Sequence, residues 1–352
     1  MMVEKILIVG SDQVWSLEKI YLRYLVTEGI SVELFAAQNI LYAYNGGSIV
    51  NKLKLRLGIS GIYTTINRQL RDRVCQFKPD IVWVFKGMEV LPETLKWIHD
   101  QGILLVNFNP DNPFIFSGRG SGNRYVTDSI PLYDLHFTYN LEVKRKLEDQ
   151  LHLRSTFLPF GFEVSDEIYQ LAAAEPEIQK VCFLGNPDKK RAAVIAKLLA
   201  SGISIDLYGI DWNKFIDPHS LLRIFPPVFK EEFWKTLRRY RVQLNLMRVH
   251  NEDSHNMRSF EVPGIGGIML APATTEHLMF FRDGEEAYLF SDIEDCIQKA
   301  QHILALGREE AGRIRDNARK RSLADGYTYR QRVKKALLEL KDLYAQAGRP
   351  SF

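Results

Sequence analysis

One stretch of the chain, residues 242–270, combines residue types that could hold an anion and a sugar. An apolar run ends in a polar loop, and this loop leads through Asn256 into a short segment that carries Arg258 and Glu261. Open α/β sheets hold ligands where a strand ends in a loop that opens a helix, and a helix N-terminus offers free N–H groups to an anion. A carboxylate further along the helix can accept hydrogen bonds from vicinal hydroxyls. The pattern therefore predicts a ligand with phosphate at one end and sugar at the other.

A second segment, residues 183–191 (FLGNPDKKR), places basic side chains at the start of a helix that follows a strand. The strand ends at Gly185, whose missing side chain lets the backbone approach a ligand closely. Lys190 and Arg191 could hold a diphosphate through charge-assisted hydrogen bonds, worth about 1.5–3 kcal/mol each. The alternative is an ordinary turn with solvated basic side chains, because the helix dipole favours acids at this end.

Glu261 is predicted to be only partly solvated, because it lies between two apolar residues in a segment flanked by strands. A carboxylate in that setting needs a partner. The partner is either a ligand or Arg258, since residues three apart on a helix can pair. Gly266 either leaves room for a ligand or ends the helix, and His255 is a further candidate for ligand contact.

Two acids in the N-terminal half could take a proton from an acceptor hydroxyl as a general base. Asp12 follows the first predicted strand, and Asp111 follows the strand at 103–108. Either could instead cap a helix or form a turn, and we favour Asp111 of the two. The Gly/Ser/Arg loop at 117–124 is interpreted as a mobile cover or as a disordered segment.

Strands that alternate with helices along the chain must position these candidates. Apolar runs of strand length occur in the first half at residues 5–9, 31–35, 81–85, 103–108, 135–139 and 155–159, and in the second half at residues 181–184, 204–208, 243–247, 268–270 and 288–290. Helical periodicity lies between most of them. The alternation predicts an α/β protein with two parallel-sheet domains that face a cleft. We place these domains at residues 1–160 and 175–330, with a connector from about 160 to 178.

Length and composition exclude several classes of protein. A chain of 352 residues favours two domains, and 46 Lys+Arg against 43 Asp+Glu do not indicate nucleic-acid binding. No apolar run reaches the roughly 18 residues that span a bilayer, and the N-terminus lacks the pattern of a secretion signal. Three cysteines without CxxC spacing are typical of a reduced, cytoplasmic protein. Neither metal-ligand spacing nor an Asp-x-Asp motif is present, so we expect no metal and no cofactor.

Four segments together resemble a known family. They are FLGNPDKKR (183–191), LYGIDW (207–212), LNLMR (244–248) and NMRSFEVPGIGGIML (256–270). They resemble the spore-maturation CgeB-type glycosyltransferase-like proteins, which belong to the GT-B fold and are similar to the group 4 glycosyltransferases. KPDIVWVFKG (78–87) and NFNPDNP (107–113) match more loosely. The resemblance implies two Rossmann-like domains and a C-terminal helix, about 331–352, that crosses back to the first domain.

The resemblance assigns roles to the acids of the second half. In group 4 enzymes a Glu-x7-Glu pair ends five residues before a glycine, and Asp253, Glu261 and Gly266 match that spacing. It implies that Glu261 binds the ribose hydroxyls of a sugar nucleotide. Asp253 is a shorter acid than the family's glutamate, which weakens the corresponding contact to the sugar.

The resemblance also assigns the basic pair that holds the diphosphate. These positions fall at Asn186 and at Lys190 or Arg191. Asn186 removes one positive charge, which Arg258, Arg248 or a residue of the N-terminal domain could supply. Lys190, Arg191 and Arg258 would then stabilise the departing diphosphate, together with the helix N-terminus near Asn256.

The predicted function is transfer of a glycosyl group from a nucleotide diphosphate sugar to an unidentified acceptor. If the enzyme inverts configuration, Asp111 takes the acceptor proton. Two alternatives stay open, namely a nucleotide-binding protein of this fold without transfer activity and a two-domain sensor of small ligands. The basic C-terminal helix is expected to pack inward, with weak contact to an anionic membrane as the alternative.

Overall fold

A computed structural model describes residues 3–56, 60–116, 120–248 and 253–348. The chain forms two compact units, one of residues 1–159 with 329–352 and one of residues 160–328. Each unit is built on a six-stranded sheet whose neighbouring strands are all parallel. The predicted α/β class with two parallel sheets is confirmed.

The sheet of the first unit has the strand order β2-β1-β3-β4-β5-β6. Its strands are β1 (Lys5–Val9), β2 (Ser31–Phe35), β3 (Ile81–Phe85), β4 (Leu104–Asn109), β5 (Leu135–Thr138) and β6 (Ser155–Phe157). Its first seven helices are α1 (Leu17–Thr27), α2 (Ala37–Gly47), α3 (Ile49–Arg56), α4 (Ile62–Phe77), α5 (Pro92–Asp100), α6 (Arg124–Ser129) and α7 (Leu141–Arg145), with a 3₁₀ turn at Ile130–Leu132 and a π turn at Lys146–Gln150. The central strands β3 and β4 are buried at every residue, as expected for a parallel sheet covered by helices on both faces.

The sheet of the second unit has the order β12-β11-β10-β7-β8-β9. Its strands are β7 (Ile178–Leu184), β8 (Ile205–Tyr208), β9 (Leu222–Phe225), β10 (Tyr240–Leu244), β11 (Met269–Pro272) and β12 (Tyr288–Phe290). Its helices are α8 (Asp166–Ala174), α9 (Lys189–Ala200), α10 (Lys230–Arg239), α11 (Arg258–Gly264), α12 (Thr275–Phe280), α13 (Ile293–Ala305) and α14 (Arg308–Ala324), with a 3₁₀ turn at Trp212–Lys214.

The last helix, α15 (Tyr329–Gln346), belongs to the first unit. Its apolar stripe, which includes Val333, Leu337 and Leu340, is buried, and the helix packs on α1. Lys335 Nζ donates to the Phe157 carbonyl at 3.1 Å, at the end of β6. The expectation that the C-terminal helix returns to the first domain and packs inward is confirmed.

Three segments differ from their sequence-based interpretation. Residues 37–56, which carry no clear pattern, form α2 and α3, and the expected connector contains α8, which packs on α10. The strand β9 was not predicted, because it lies at the edge of its sheet and its half-exposed residues lack a buried apolar run.

In the part of the chain that the structure describes, no helix has the length and apolar character needed to cross a membrane.

Candidate functional site

The two segments singled out in the second half meet at one edge of the second sheet. Strands β7 and β10 are parallel neighbours, with Val242 beside Val181 and Gln243 beside Cys182. Their carboxyl ends therefore emerge side by side. We call residues 185–191, 245–248 and 253–261, which follow these two strands, the second-unit edge.

Arg191 joins the two segments of the second-unit edge. Its Nη2 donates to the Leu246 carbonyl at 2.8 Å and its Nη1 to the Asn186 carbonyl at 3.0 Å, while Nε lies 3.4 Å from the Asp188 carboxylate. The residue is only 8% exposed. Burial lowers the pKa of its guanidinium and Asp188 opposes that change. The positive charge thus lies beneath the turn, where it braces the protein's own backbone.

The turn itself is built by residues of the LYGIDW segment as well as by its own. Trp212 Nε1 donates to the Gly185 carbonyl at 2.9 Å, and a side chain at Gly209 would collide with that same carbonyl. Asp188 caps α9 by accepting the Arg191 N–H at 3.0 Å, as short acids do at helix starts. The resemblance motif therefore supports the backbone of the turn.

Asn186 and Lys190 are exposed at the rim of this turn. Lys190 lies in the first turn of α9, after the capping residue. Its side chain is exposed, whereas that of Arg191 is buried. The diphosphate roles of all three residues stay predictions.

The two charged residues of α11 bond to each other. Arg258 Nη1 donates to the Glu261 carboxylate, and the guanidinium lies 4.3 Å from the centre of the Phe233 ring. The side chains are 30% and 14% exposed, respectively. The partner of Glu261 in this structure is therefore Arg258, and binding of ribose by Glu261 stays a prediction.

Asn256 and Ser259 set the start of α11. The Asn256 N–H donates to Ser259 Oγ and the Ser259 N–H to Asn256 Oδ1, each at 3.2 Å, while Asn256 Nδ2 donates to Asn245 Oδ1 at 2.8 Å. The N–H groups of Phe260 and Glu261 both donate to the Met257 carbonyl at 3.0 Å. The expectation of free N–H groups at this helix start is wrong for these residues, because the tight first turn already uses them.

His255 supports this loop from below and does not reach its surface. The side chain is completely buried. The Phe160 N–H donates to Nε2 at 3.2 Å, so the imidazole proton lies on Nδ1, which donates to Glu276 at 2.5 Å. Ser254 Oγ donates to the same carboxylate oxygen at 2.8 Å. The interpretation of His255 as a ligand contact is wrong.

His277 provides a second buried support that the sequence analysis missed. Ser259 Oγ donates to Nε2 and Nδ1 donates to the Pro272 carbonyl, both at 2.7 Å. Burial lowers the pKa of this imidazole to about 4. No local pattern identifies His277 or Glu276, because the side chains that bond to theirs lie 18 to 22 residues earlier in the chain.

Two other predicted residues have structural roles. Gly266 lies in the turn before β11, at the opposite edge of the sheet, with a φ of +73° that favours glycine. The structure therefore does not bring Gly266 to the second-unit edge. Asp253 accepts the N–H and the hydroxyl of Thr275, at 2.7 and 2.8 Å, and so caps α12.

In the first unit, Asp111 lies after β4 and pairs with Lys86, which follows β3. Lys86 Nζ lies 2.6 Å from Asp111 Oδ2 and also donates to the Gly120 carbonyl. Lys86 has a φ of +62°, a conformation that is uncommon for a lysine. Asp12 forms an exposed pair with Lys19 at 2.7 Å. The role of Asp111 as a base stays a prediction, and its carboxylate is already paired with the Lys86 ammonium group.

The sequence analysis missed two buried acids that follow β1 and β3 of the first sheet. Glu18 accepts the Ser11 N–H at 2.8 Å, and Glu89 is only 3% exposed. Burial raises the pKa of Glu89 to about 7, with a smaller lowering by Lys86 and a smaller raising by Glu18. A carboxyl group with that pKa can exchange a proton near neutral pH. We call Glu18, Lys86, Glu89 and Asp111 the first-unit edge.

Within the described ranges, no group of three His, Cys, Asp or Glu side chains is arranged to hold a metal ion.

The chain is similar to one family model and to several solved structures. Residues 190–338 match a family model described as glycosyl transferase-like. Among solved structures, a glycosyltransferase from Rickettsia africae is 11% identical, with 99% of this chain and 100% of that chain covered and a TM-score of 0.67. Sucrose-phosphate synthase from Thermosynechococcus elongatus is 12% identical, with 97% and 100% covered and a TM-score of 0.65. Anabaena HepE in complex with UDP-glucose is 12% identical, with 96% and 98% covered and a TM-score of 0.62.

No curated protein sequence matches the chain. The structural matches span nearly the whole chain, so they show the fold, which is GT-B with two Rossmann-like units. The family model covers most of the second unit, including α9 from its second residue, Lys190, and all of α11. The family match thus concerns residues 190–338, and the solved structures show the shared fold.

Proposed function

We propose that the protein transfers a sugar from a nucleotide diphosphate sugar to an acceptor hydroxyl. The observation that carries this proposal is the second-unit edge, where Arg191 joins the turn after β7 to the segment after β10. The glycosyl transferase-like match covers α9 from Lys190 onward and all of α11. A structural relative of the same fold binds UDP-glucose, which supports a nucleotide sugar as the donor. The four sequence motifs support a CgeB-type member.

Binding of the donor would exchange the partners of an existing ion pair. Without a ligand, Arg258 and Glu261 neutralise each other. A diphosphate would replace Glu261 as the partner of the Arg258 guanidinium. The ribose hydroxyls would replace Arg258 as the partners of the Glu261 carboxylate. Each charged group then keeps a hydrogen-bond partner in both states, which keeps the cost of partial burial low.

The departing nucleoside diphosphate gains negative charge as the glycosidic bond breaks. Lys190 would contact that charge directly from the rim of the turn, and Arg258 from α11. Arg191 would contribute a fixed positive charge from below, since its nitrogens hold carbonyls. Preorganised charges of this kind are typically the largest source of catalysis.

The acceptor proton would go to an acid of the first-unit edge if configuration is inverted. Asp111 is the candidate from the sequence, and Glu89 is added by the structure. Glu89 has the pKa suited to a base near neutral pH, of about 7. Asp111 is the more exposed of the two.

A protein that binds nucleotide without transfer is the second candidate. The observation that favours it is the internal engagement of Arg191 and of the Arg258–Glu261 pair. Incubation with a panel of nucleotide diphosphate sugars separates the two functions. Release of nucleoside diphosphate that depends on Lys190 supports transfer, and thermal stabilisation by a nucleotide without turnover supports the binder. No response to any nucleotide would contradict both and leave a sensor of other small ligands.

A further inference from the structure

The sequence segment that contains α3 stands out by its charge. From residue 34 to residue 71 the sequence contains no Asp or Glu, while Lys52, Lys54, Arg56, Arg68 and Arg71 are all basic. The rest of the chain has nearly equal numbers of acidic and basic residues, since the totals are 43 and 46. The segment is therefore a local concentration of positive charge.

Helix α3 turns three aliphatic side chains towards solvent. Ile49 is 85% exposed, Val50 58% and Leu53 54%. The opposite side of the helix is the one that packs, because Leu55 contacts the core and Asn51 Nδ2 donates to the Tyr44 carbonyl at 3.1 Å. With 3.6 residues per turn, positions 49, 50 and 53 share one face. This face is apolar and uncovered within the first unit.

Lysines border the apolar face on both sides. At 3.6 residues per turn, Lys54 falls next to Val50 and Lys52 falls beyond Ile49 on the other side. Both lysines are exposed, and no ion pair of either is found within the described ranges. Long basic side chains beside an apolar face can place their stems on apolar surface and their charges outward.

We propose that the α3 face docks on a lipid membrane with anionic headgroups. Ile49, Val50 and Leu53 would enter the boundary between headgroups and acyl chains, and Lys52 and Lys54 would contact the headgroup phosphates. An amphipathic helix with an apolar face and a basic border lies in the membrane interface in this way. A nucleic acid would match the charge but leave the apolar face in water. A lipid surface satisfies both.

The other basic helix, α15, does not offer the same surface. Its apolar stripe is already buried on α1, and its exposed side carries Glu339 and Asp342, which pair with Arg154. One exposed aliphatic side chain, Leu338, is 69% exposed there. Leu338 is therefore a matched control for the residues of α3.

Co-sedimentation of the full chain with vesicles tests the proposal. The vesicles are phosphatidylcholine alone or an equimolar mixture with phosphatidylglycerol. We expect the wild-type protein to bind the mixed vesicles about tenfold more than phosphatidylcholine alone, and less as salt is added. I49S/L53S should lower binding to mixed vesicles about tenfold. K52Q/K54Q should remove most of the preference for the anionic lipid, and L338S should leave binding unchanged.

Three results would overturn the proposal. The first is absence of vesicle binding by the wild-type protein, and the second is an equal loss in L338S. The third is self-association of the wild-type protein that I49S/L53S abolishes while vesicle binding is absent, since the face would then join copies of the chain. Circular dichroism of each variant shows whether the fold is retained, and a misfolded double variant is replaced by L53S alone.

Discussion

At the first-unit edge two acids, Glu18 and Glu89, are buried within an α/β unit, whereas at the second-unit edge the buried charge is Arg191. The two units lower the energetic cost of burying a charged group in different ways. Burial raises the pKa of Glu89 to about 7, so this acid can avoid a buried charge by binding a proton. Arg191 cannot lose its proton in practice, so the fold supplies two carbonyl acceptors and the Asp188 carboxylate. The comparison shows that one architecture can present a proton acceptor in one unit and a fixed positive charge in the other.

Glu89 in the first unit and His277 in the second respond to pH in opposite directions. Glu89 is protonated in the folded state and ionised in the unfolded state between pH 4.5 and about 7, so its contribution to stability is lost as pH rises. His277 has a pKa lowered to about 4. Its contribution is present above pH 6.5 and is lost as pH falls towards 4, because the unfolded imidazole takes up a proton first.

The largest expected effect comes from removing the fixed charge of the second unit. Arg191→Ala leaves the carbonyls of Asn186 and Leu246 without the guanidinium donor and the Asp188 carboxylate without its ion-pair partner. We expect a loss of about 3–5 kcal/mol in the free energy of unfolding of the second unit, measured by urea denaturation. Arg191→Lys should recover part of it.

Binding measurements show whether Arg191 also acts on the ligand. At conditions where the variant is folded, its affinity for a nucleoside diphosphate should fall more than its affinity for the nucleoside. A change in stability below about 0.5 kcal/mol, typical of a surface substitution, would contradict the bracing role of this arginine.

The next effect tests the proton acceptor of the first unit. Glu89→Gln removes the titration, so the variant should gain stability over the wild-type protein as pH rises from 4.5 through 7. The gain is on the order of 3 kcal/mol at pH 8, measured by urea denaturation at pH 5 and pH 8. Glu93→Gln, at an exposed position of α5, is the control. Parallel pH profiles for Glu89→Gln and the wild-type protein would show that Glu89 is not the titrating group.

A smaller effect separates the two acids of the second-unit edge. Glu261→Gln should weaken binding of a nucleoside diphosphate about tenfold, or about 1.4 kcal/mol, because the ribose loses a charged acceptor. Asp253→Asn should change binding little, because Asp253 caps α12. Calorimetric titration measures both. Equal losses in the two variants would refute the placement of the ribose on Glu261.

The smallest effect concerns the rim of the turn. Lys190→Ala should weaken binding of a nucleoside diphosphate by about 0.5–1 kcal/mol, a few-fold, because an exposed charge is well solvated. Lys197→Ala, at the other end of α9, is its matched control and should have no effect. A loss that is the same in both variants would mean that net charge, and not position, decides binding.

The parts of the fold that were predicted are those with a local signal. Buried strands such as β3 are continuous apolar runs, and α9 begins at a capping acid, Asp188, so short windows of sequence contain the information. The edge strand β9 and the helices α2 and α3 lack such a signal, because their apolar residues are partly exposed. The same exposure leads to the proposal for α3.

The sequence by itself determined the α/β class, the two sheets and the positions of the basic turn and the acid of α11, because hydrophobic periodicity and turn residues act over a few positions. Only the tertiary structure decided which side chains meet. It placed the Arg191 guanidinium against the Leu246 carbonyl and buried Glu89 and His277. Such pairings depend on distances between segments that are remote in the chain, and electrostatic and hydrogen-bond energies depend on those distances and on burial.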